Sequence, residues 1–229
     1  MKQVIIEKES LAFLKRLAKN NNRDWFNAHK EEYSMSHENM IAFADALLNE
    51  MNKHDKIETP SGKKSLFRIY RDVRFSKDKT PYTCRWSGRF KRATKKLRGG
   101  YYYRIQPGNS FAIGGFWGPE SEDMKRIRQE IDFNYKEFKQ ILSGKPIVRT
   151  FGKMAGEKVS STPRGYSKDH PAIELLRHKQ FLLKHSFTDA EVCSQGFASQ
   201  LSDTFKTMRP FLNYMSEVLT TDANGVSII

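Results

Sequence analysis

The chain has 229 residues, and 40 Lys+Arg against 26 Asp+Glu leave a net charge of +14 with His neutral. At 38% hydrophobic and 12% aromatic it has the side chains for a packed core, which excludes a tail disordered by composition. No stretch approaches the roughly 18 apolar residues of a membrane span, Met1–Glu7 has no signal-peptide character, and Cys84 and Cys193 form neither a disulfide framework nor zinc spacing, so the expectation is a cytoplasmic protein with reduced thiols.

Ser10 is placed to cap a first helix, in which Leu11, Phe13, Leu14 and Leu17 recur at helical spacing. Asn20-Asn21-Asn22 ends it and can cap the next, a longer helix over about 23–52. Trp25, Phe26 and Tyr33 lie in its first half; Met40, Phe43, Ala44, Leu47 and Met51 form the apolar stripe of its second. Thr59-Pro60-Ser61-Gly62 reads as a loop. Beyond it the charge concentrates: residues 61–104 hold fifteen Lys+Arg and two acids, Asp72 and Asp78, a net of +13. Such a concentration attracts polyanions. Aromatic and aliphatic residues are interleaved with it, so the segment reads as folded. Apolar residues at 67, 69, 73 and 75 predict a strand over 66–75. Residues 76–81 read as a turn. In 83–90 alternation places Cys84 with Trp86 and Phe90 on the apolar side, which predicts a buried, inert thiol. Residues 101–106 and 110–117 read as a hairpin around Pro107-Gly108-Asn109.

A helix opens at Pro119-Glu120-Ser121. It carries Met124, Ile127, Ile131, Tyr135, Phe138 and Leu142, and Gly144 ends it. Residues 147–151 read as a strand, 160–171 as a loop and 172–178 as a short helix. Thr188-Asp189-Ala190-Glu191 fits a capping box. A last helix carries Leu201, Phe205, Met208, Leu212, Met215 and Leu219, with a kink at Pro210 and a frayed tail after Thr221. The sum is an α+β fold in a single domain over 1–229. A central, largely antiparallel sheet from about 66–117, joined by 147–151, is flanked by N-terminal, middle and C-terminal helices.

The densest polar cluster is Arg68-x-x-Arg71-Asp72-x-Arg74-Phe75-Ser76-Lys77-Asp78-Lys79-x-Pro81-Tyr82. In an extended 68–74, Arg68, Asp72 and Arg74 point one way. Asp72 between guanidiniums is favoured as carboxylate, and the remaining arginine forks suit phosphate or carboxylate. Asp78 and Lys79 in the turn can close on the same site. The anion-binding candidates are therefore Arg68, Arg71, Arg74, Lys77, Lys79 and Arg104; the candidates for moving or orienting protons are Asp72, Asp78, Tyr82 and His170. The competing reading is an internal salt-bridge network that pins the turn to the sheet. Two aspartates are too few carboxylates for an oxygen-ligated metal, no HExxH occurs, and no glycine-rich phosphate or dinucleotide loop marks a cofactor.

The run from Arg68 to Tyr82 resembles the signature of the DUF2461 family of conserved hypothetical proteins. The resemblance extends to Phe13-Leu14-x-x-Leu17-x-x-Asn20-Asn21-x-Arg23-x-Trp25-Phe26, to Tyr102-Tyr103 with Gln106-Pro107-Gly108, and to Gly114-Gly115 with Pro119. It includes Arg128 and Ile131, Pro163-x-Gly165, Asp169-His170-Pro171 and Leu175-Leu176-Arg177, and is clearest over about 10–185. It implies a single domain of bacterial type, with fungal members, and no established activity.

In Arg164–Pro171, the proline holds His170 extended. Either His170 is presented as a base, or Asp169 or His170 caps the following short helix. Gly114-Gly115 marks a bulge or a close backbone approach. Tyr101–Tyr103 with Arg104 either stack bases or pack in a half-buried sheet. Three readings follow. The first is a module binding a phosphate-rich ligand, either nucleic acid or a phosphorylated small molecule, through 61–104. The second is an enzyme on a small anion that uses the Arg/Asp signature with His170 or Tyr82. The third is a structural signature in a protein whose function is protein–protein interaction. Oligomeric state is left open.

Overall fold

The computed structural model describes residues 4–222 and 224–229, with ten helices and four strands among them. The strands β1 (Trp86–Lys91), β2 (Gly100–Ile105), β3 (Ser110–Phe116) and β4 (Phe181–Phe187) form one antiparallel sheet in the order β1-β2-β3-β4. The architecture is α+β, and no helix among the described residues is long and apolar enough to cross a membrane. The chain divides into two units. The first holds the residues up to Lys91 with Tyr102–Ala112 and Ser186–Asp203; the second holds Arg92–Tyr101, Ile113–His185 and Thr204–Ile229.

In the first unit, α1 (Lys8–Lys19) buries Leu11, Phe13, Leu14 and Leu17 as its periodicity requires. Glu7, not Ser10, stands at its N-cap. Ser10 lies inside the helix and donates its hydroxyl to Asn39 Oδ1 at 3.1 Å, tying α1 to the next long helix. The single helix expected over 23–52 is two, α2 (Arg23–Ala28) and α3 (Lys30–Asn52). Asn22 caps α2 by accepting from the Trp25 N–H. His29 leaves the helical region (φ −116°, ψ 26°), and its Nδ1–H donates to the Trp25 carbonyl at 2.7 Å. The imidazole thus satisfies a carbonyl at the break, and its ring stacks on Trp25 at 4.0 Å. The stripe Met40, Phe43, Ala44, Leu47 and Met51 is buried.

The strand expected over 66–75 does not form. Leu66 and Tyr70 make isolated antiparallel bridges to Gly88 and Tyr82, supported by Phe67 N–H to Ser87 O and Arg71 N–H to Pro81 O, each 2.9 Å. Proline 81 has no N–H to extend the ladder. Of the apolar residues meant to share one face, Ile69 is buried, whereas Phe67 is 50% and Phe75 97% exposed. The strand expected from residue 83 starts at Trp86. α4 (Gly62–Ser65) precedes this segment, and α8 (Asp189–Val192) carries the expected capping box at Thr188 and Glu191.

In the second unit, α5 (Ser121–Leu142) has the expected bounds, with a kink at Asn134. Residues 147–151, expected as a strand, belong to the helix α6 (Lys145–Phe151). Pro146 in its first turn and Gly152 at φ 67° after its end outweigh the β-branched residues between them. The fourth strand is instead Phe181–Phe187. The expected short helix at 172–178 is α7 (Ile173–Leu176). Gly115 lies at φ 135°, where a Cβ would sit 2.1 Å from the Phe181 carbonyl oxygen, so the Gly-Gly pair is the close backbone approach expected of it. The C-terminal helix, whose residues up to Asp203 belong to the first unit, breaks at Met208 into α9 (Phe197–Thr207) and α10 (Arg209–Thr220), because Pro210 starts a new helix rather than kinking the old one. The tail folds back through a Thr221–Ser227 bridge and an Ile228 N–H to Thr220 O bond instead of fraying.

Candidate functional site

The signature loop is held from within. Half-buried Arg71 donates Nη1 to Asp78 Oδ2 at 2.6 Å, to the Thr80 carbonyl at 3.0 Å, and to the Thr80 hydroxyl. Asp78 Oδ1 accepts from the Thr80 N–H at 2.9 Å and its hydroxyl at 2.8 Å. These bonds, the Thr80 N–H foremost and then Arg71, bring the Asp78 carboxyl down to about 2. Lys79 Nζ donates to the carbonyls of Val73 and Arg74. Asp72 and Arg74 form a separate fork on the surface, with Nε to Oδ1 at 3.0 Å and Nη2 to Oδ2 at 2.7 Å. The Arg74 hydrogen bonds, with the Arg68 charge beyond them, hold the Asp72 carboxyl below the usual range. Arg71, Arg74 and Lys79 are therefore engaged by their own loop. Arg68 and Lys77 are exposed and make no ion pair among the described residues.

Behind the loop stands an aromatic wall from α2 and α3 that the charge pattern did not reveal. Asn21 clamps Tyr82: Nδ2 donates to the Tyr82 carbonyl at 2.9 Å, and Oδ1 accepts from its N–H at 3.1 Å. Asn21 Nδ2 also reaches Cys84 Sγ at 3.4 Å. Phe26 stacks on Tyr82 at 4.0 Å, and Tyr33 and Tyr70 pack around it. Burial, with Tyr70 adding to it, pushes the Tyr33 and Tyr82 phenols up; burial and then Lys63 push His37 down. These shifts favour the protonated phenols of Tyr33 and Tyr82 and the neutral imidazole of His37. Cys84 is half-buried rather than buried, and desolvation raises its thiol.

A second surface lies on the strands of the same unit. Along β1, Trp86, Gly88 and Phe90 are buried while Arg89 and Lys91 project outward. Along β2, Tyr103 and Ile105 are buried and Tyr102 and Arg104 point the other way. Gly88 permits this packing, because a Cβ there would stand 2.5 Å from the Tyr103 hydroxyl. Phe67 comes against Tyr102 at 6.2 Å between centroids, and Tyr102 against Phe111 at 6.0 Å. Arg104 lies over the Phe111 ring at 4.7 Å. Beside Phe67 runs a groove of about 300 Å³ lined by Lys64, Arg89 and Lys91 among others, with Glu58 pairing Lys91 at 2.9 Å. Lys64, Arg89 and Arg104 make no ion pair among the described residues. Of these, sequence reasoning named only Arg104; the exposed alternate positions of β1 were the signal for Arg89.

The family model for "Conserved hypothetical protein (DUF2461)" matches residues 9–214. The chain belongs to the DUF2461 family. Neither the curated proteins nor the solved structures contain a match.

The candidate His170 lies in the second unit. His170 Nδ1 accepts from the Ala172 N–H at 3.0 Å, at the start of α7, and Nε2 faces Asp132 Oδ1 at 3.2 Å. Both ring nitrogens are thus engaged, Nδ1 by the backbone at the start of α7 and Nε2 by Asp132. Two further cations of the basic segment, Arg92 and Arg98, are also engaged. Buried Arg92 bonds Asn213 Oδ1 and Ser216 Oγ, and Arg98 pairs with Asp123. Among the described residues no three His, Cys, Asp or Glu side chains are grouped to hold a metal ion.

Proposed function

We propose that this chain binds a phosphate-rich ligand on the outer side of β1 and β2, through Lys64, Arg89 and Arg104. The observation that carries the reading is how the basic segment divides. Arg71, Arg74 and Lys79 hold the signature loop and Arg92 and Arg98 are tied to neighbours, whereas Arg89 and Arg104 on one sheet face, and Lys64 on α4 across the groove from Arg89, have no carboxylate paired to them. Unpaired guanidinium and ammonium groups attract phosphate without first losing an internal partner.

Anisotropy of a fluorescein-labelled oligonucleotide across a salt series tests this. Three phosphate contacts give a slope of about −2 in log K against log salt, so affinity falls roughly 20-fold from about 50 to about 200 mM. Arg89→Ala flattens the slope by about 0.7, and Lys77→Ala leaves it unchanged. No binding at low salt, or an unaltered slope in the Lys64→Ala, Arg89→Ala double variant, overturns the reading.

A further inference from the structure

We propose that the ligand of this face is a single-stranded nucleic acid whose bases stack on Phe67 and Tyr102 while Lys64, Arg89 and Arg104 follow its phosphates. The inference rests on the phosphate-binding reading above and adds the part of the ligand that is not phosphate.

Phe67 is the first reason. Alternation would bury it, yet half of its surface meets solvent. Its backbone is nevertheless fixed, because Leu66 bridges Gly88 and the Phe67 N–H bonds Ser87 O at 2.9 Å. A large apolar ring held rigidly in water, inside the most cationic part of the chain, is suited to a flat apolar partner that carries negative charge. A nucleobase on its phosphate backbone is such a partner.

The second reason is spacing. Phe67, Tyr102 and Phe111 follow one another at 6.2 and 6.0 Å, Tyr102 and Phe111 from the paired strands β2 and β3 and Phe67 from the segment bridged to β1. Phe111 is 7% exposed and serves as the floor, with Arg104 laid across it and Tyr102 against it. Two aromatic rings and one guanidinium therefore follow one another along this surface. Duplex bases are stacked about 3.4 Å apart and hide their faces; a single strand can splay its bases onto separated rings.

The third reason is the layout of charge. Lys64 and Arg89 line the groove beside Phe67, whereas Arg104 lies on the next strand and outside that lining. One isolated phosphate needs donors that converge on it. Cations spread along a row of rings match a chain of phosphates instead.

Anisotropy with fluorescein-labelled oligothymidine of about 12 nucleotides, the matching duplex, and inorganic polyphosphate as competitor decides the matter. The variants are Phe67→Leu, Phe67→Trp and Tyr102→Leu, each checked for an unchanged melting transition; Phe67, being half exposed, is the safer of the two positions. The expected result is that the single strand binds at least tenfold tighter than the duplex. Phe67→Leu then loses about tenfold on the single strand, Phe67→Trp retains binding, and polyphosphate competes equally with all. Equal affinity for strand and duplex, with Phe67→Leu neutral, overturns the stacking inference and leaves phosphate binding standing. Failure of all three probes to bind at low salt overturns both.

Discussion

Arg71→Ala separates a residue that holds the loop from one that meets a ligand. The substitution removes the guanidinium from Asp78, from the Thr80 carbonyl and from the Thr80 hydroxyl. The Asp78 pair is at the surface, where the aspartate side chain is 60% exposed, so solvent screens it and its loss is the smaller part of the effect. The bonds to Thr80 have a charged donor and a half-buried base, and contribute about 1.5 kcal/mol each before the freed acceptors rehydrate. The expected destabilisation is about 2–3 kcal/mol, below the roughly 3–5 kcal/mol of a broken buried ion pair. Urea unfolding followed by circular dichroism should show a lower midpoint at constant slope, and the melting temperature should fall by about 4–12 °C for a chain of this size. Affinity for an oligonucleotide, measured where the variant is folded, should stay within about twofold of the parent. A loss of stability under about 0.5 kcal/mol would refute the loop-holding role. So would a fully stable variant that no longer binds.

Gly62→Ala should destabilise by about 3 kcal/mol or more in the same assay, because the added Cβ would fall 2.2 Å from the Asp45 backbone nitrogen, where no flexible side chain can give way. Equal stability would mean that α4 can move off α3. Asp78 is held at about 2 against an ordinary 3.8, so the carboxylate stabilises the fold above the unfolded value, and that stabilisation is lost as pH falls through the folded value. Unfolding midpoints of the parent should drop between about pH 4 and pH 2 more steeply than those of Asp78→Asn; parallel curves would remove Asp78 from the loop's support.

Several features were legible in the chain itself. The α1 stripe, the hairpin of β2 and β3, the span of α5, the capping box at Thr188 and the Asn22 cap all depend on neighbours within a few residues, so local periodicity and turn chemistry suffice. The errors lie where a distant partner decides. Residues 66–75 have strand periodicity, but Pro81 opposite and the Arg71 network in the turn leave two bridges in place of a ladder. Residues 181–187 show an apolar triplet followed by Lys184-His185-Ser186, which reads as no period, and become a strand by pairing beside β3. Ile147–Phe151 has β-branched composition, but Pro146 and Gly152 set its ends as helix ends.

The site divides in the same way. Composition alone concentrated a net +13 in residues 61–104, since charge counts do not depend on conformation. Which of those cations keep their charge for a ligand is a matter of where carboxylates and carbonyls come to rest. Folding gives Arg71 to Asp78 and Thr80, Arg74 to Asp72, Arg92 to Asn213 and Ser216, and Arg98 to Asp123. It leaves Arg89 and Arg104 on one sheet face, with Lys64 of α4 at the same groove as Arg89, beside Phe67 and Tyr102. One strongly basic, aromatic-rich segment within a nearly neutral frame follows from residue order alone. Which of its charges are neutralised follows from the fold, because an ion pair forms between groups brought within about 4 Å of each other, and the chain order does not set that distance.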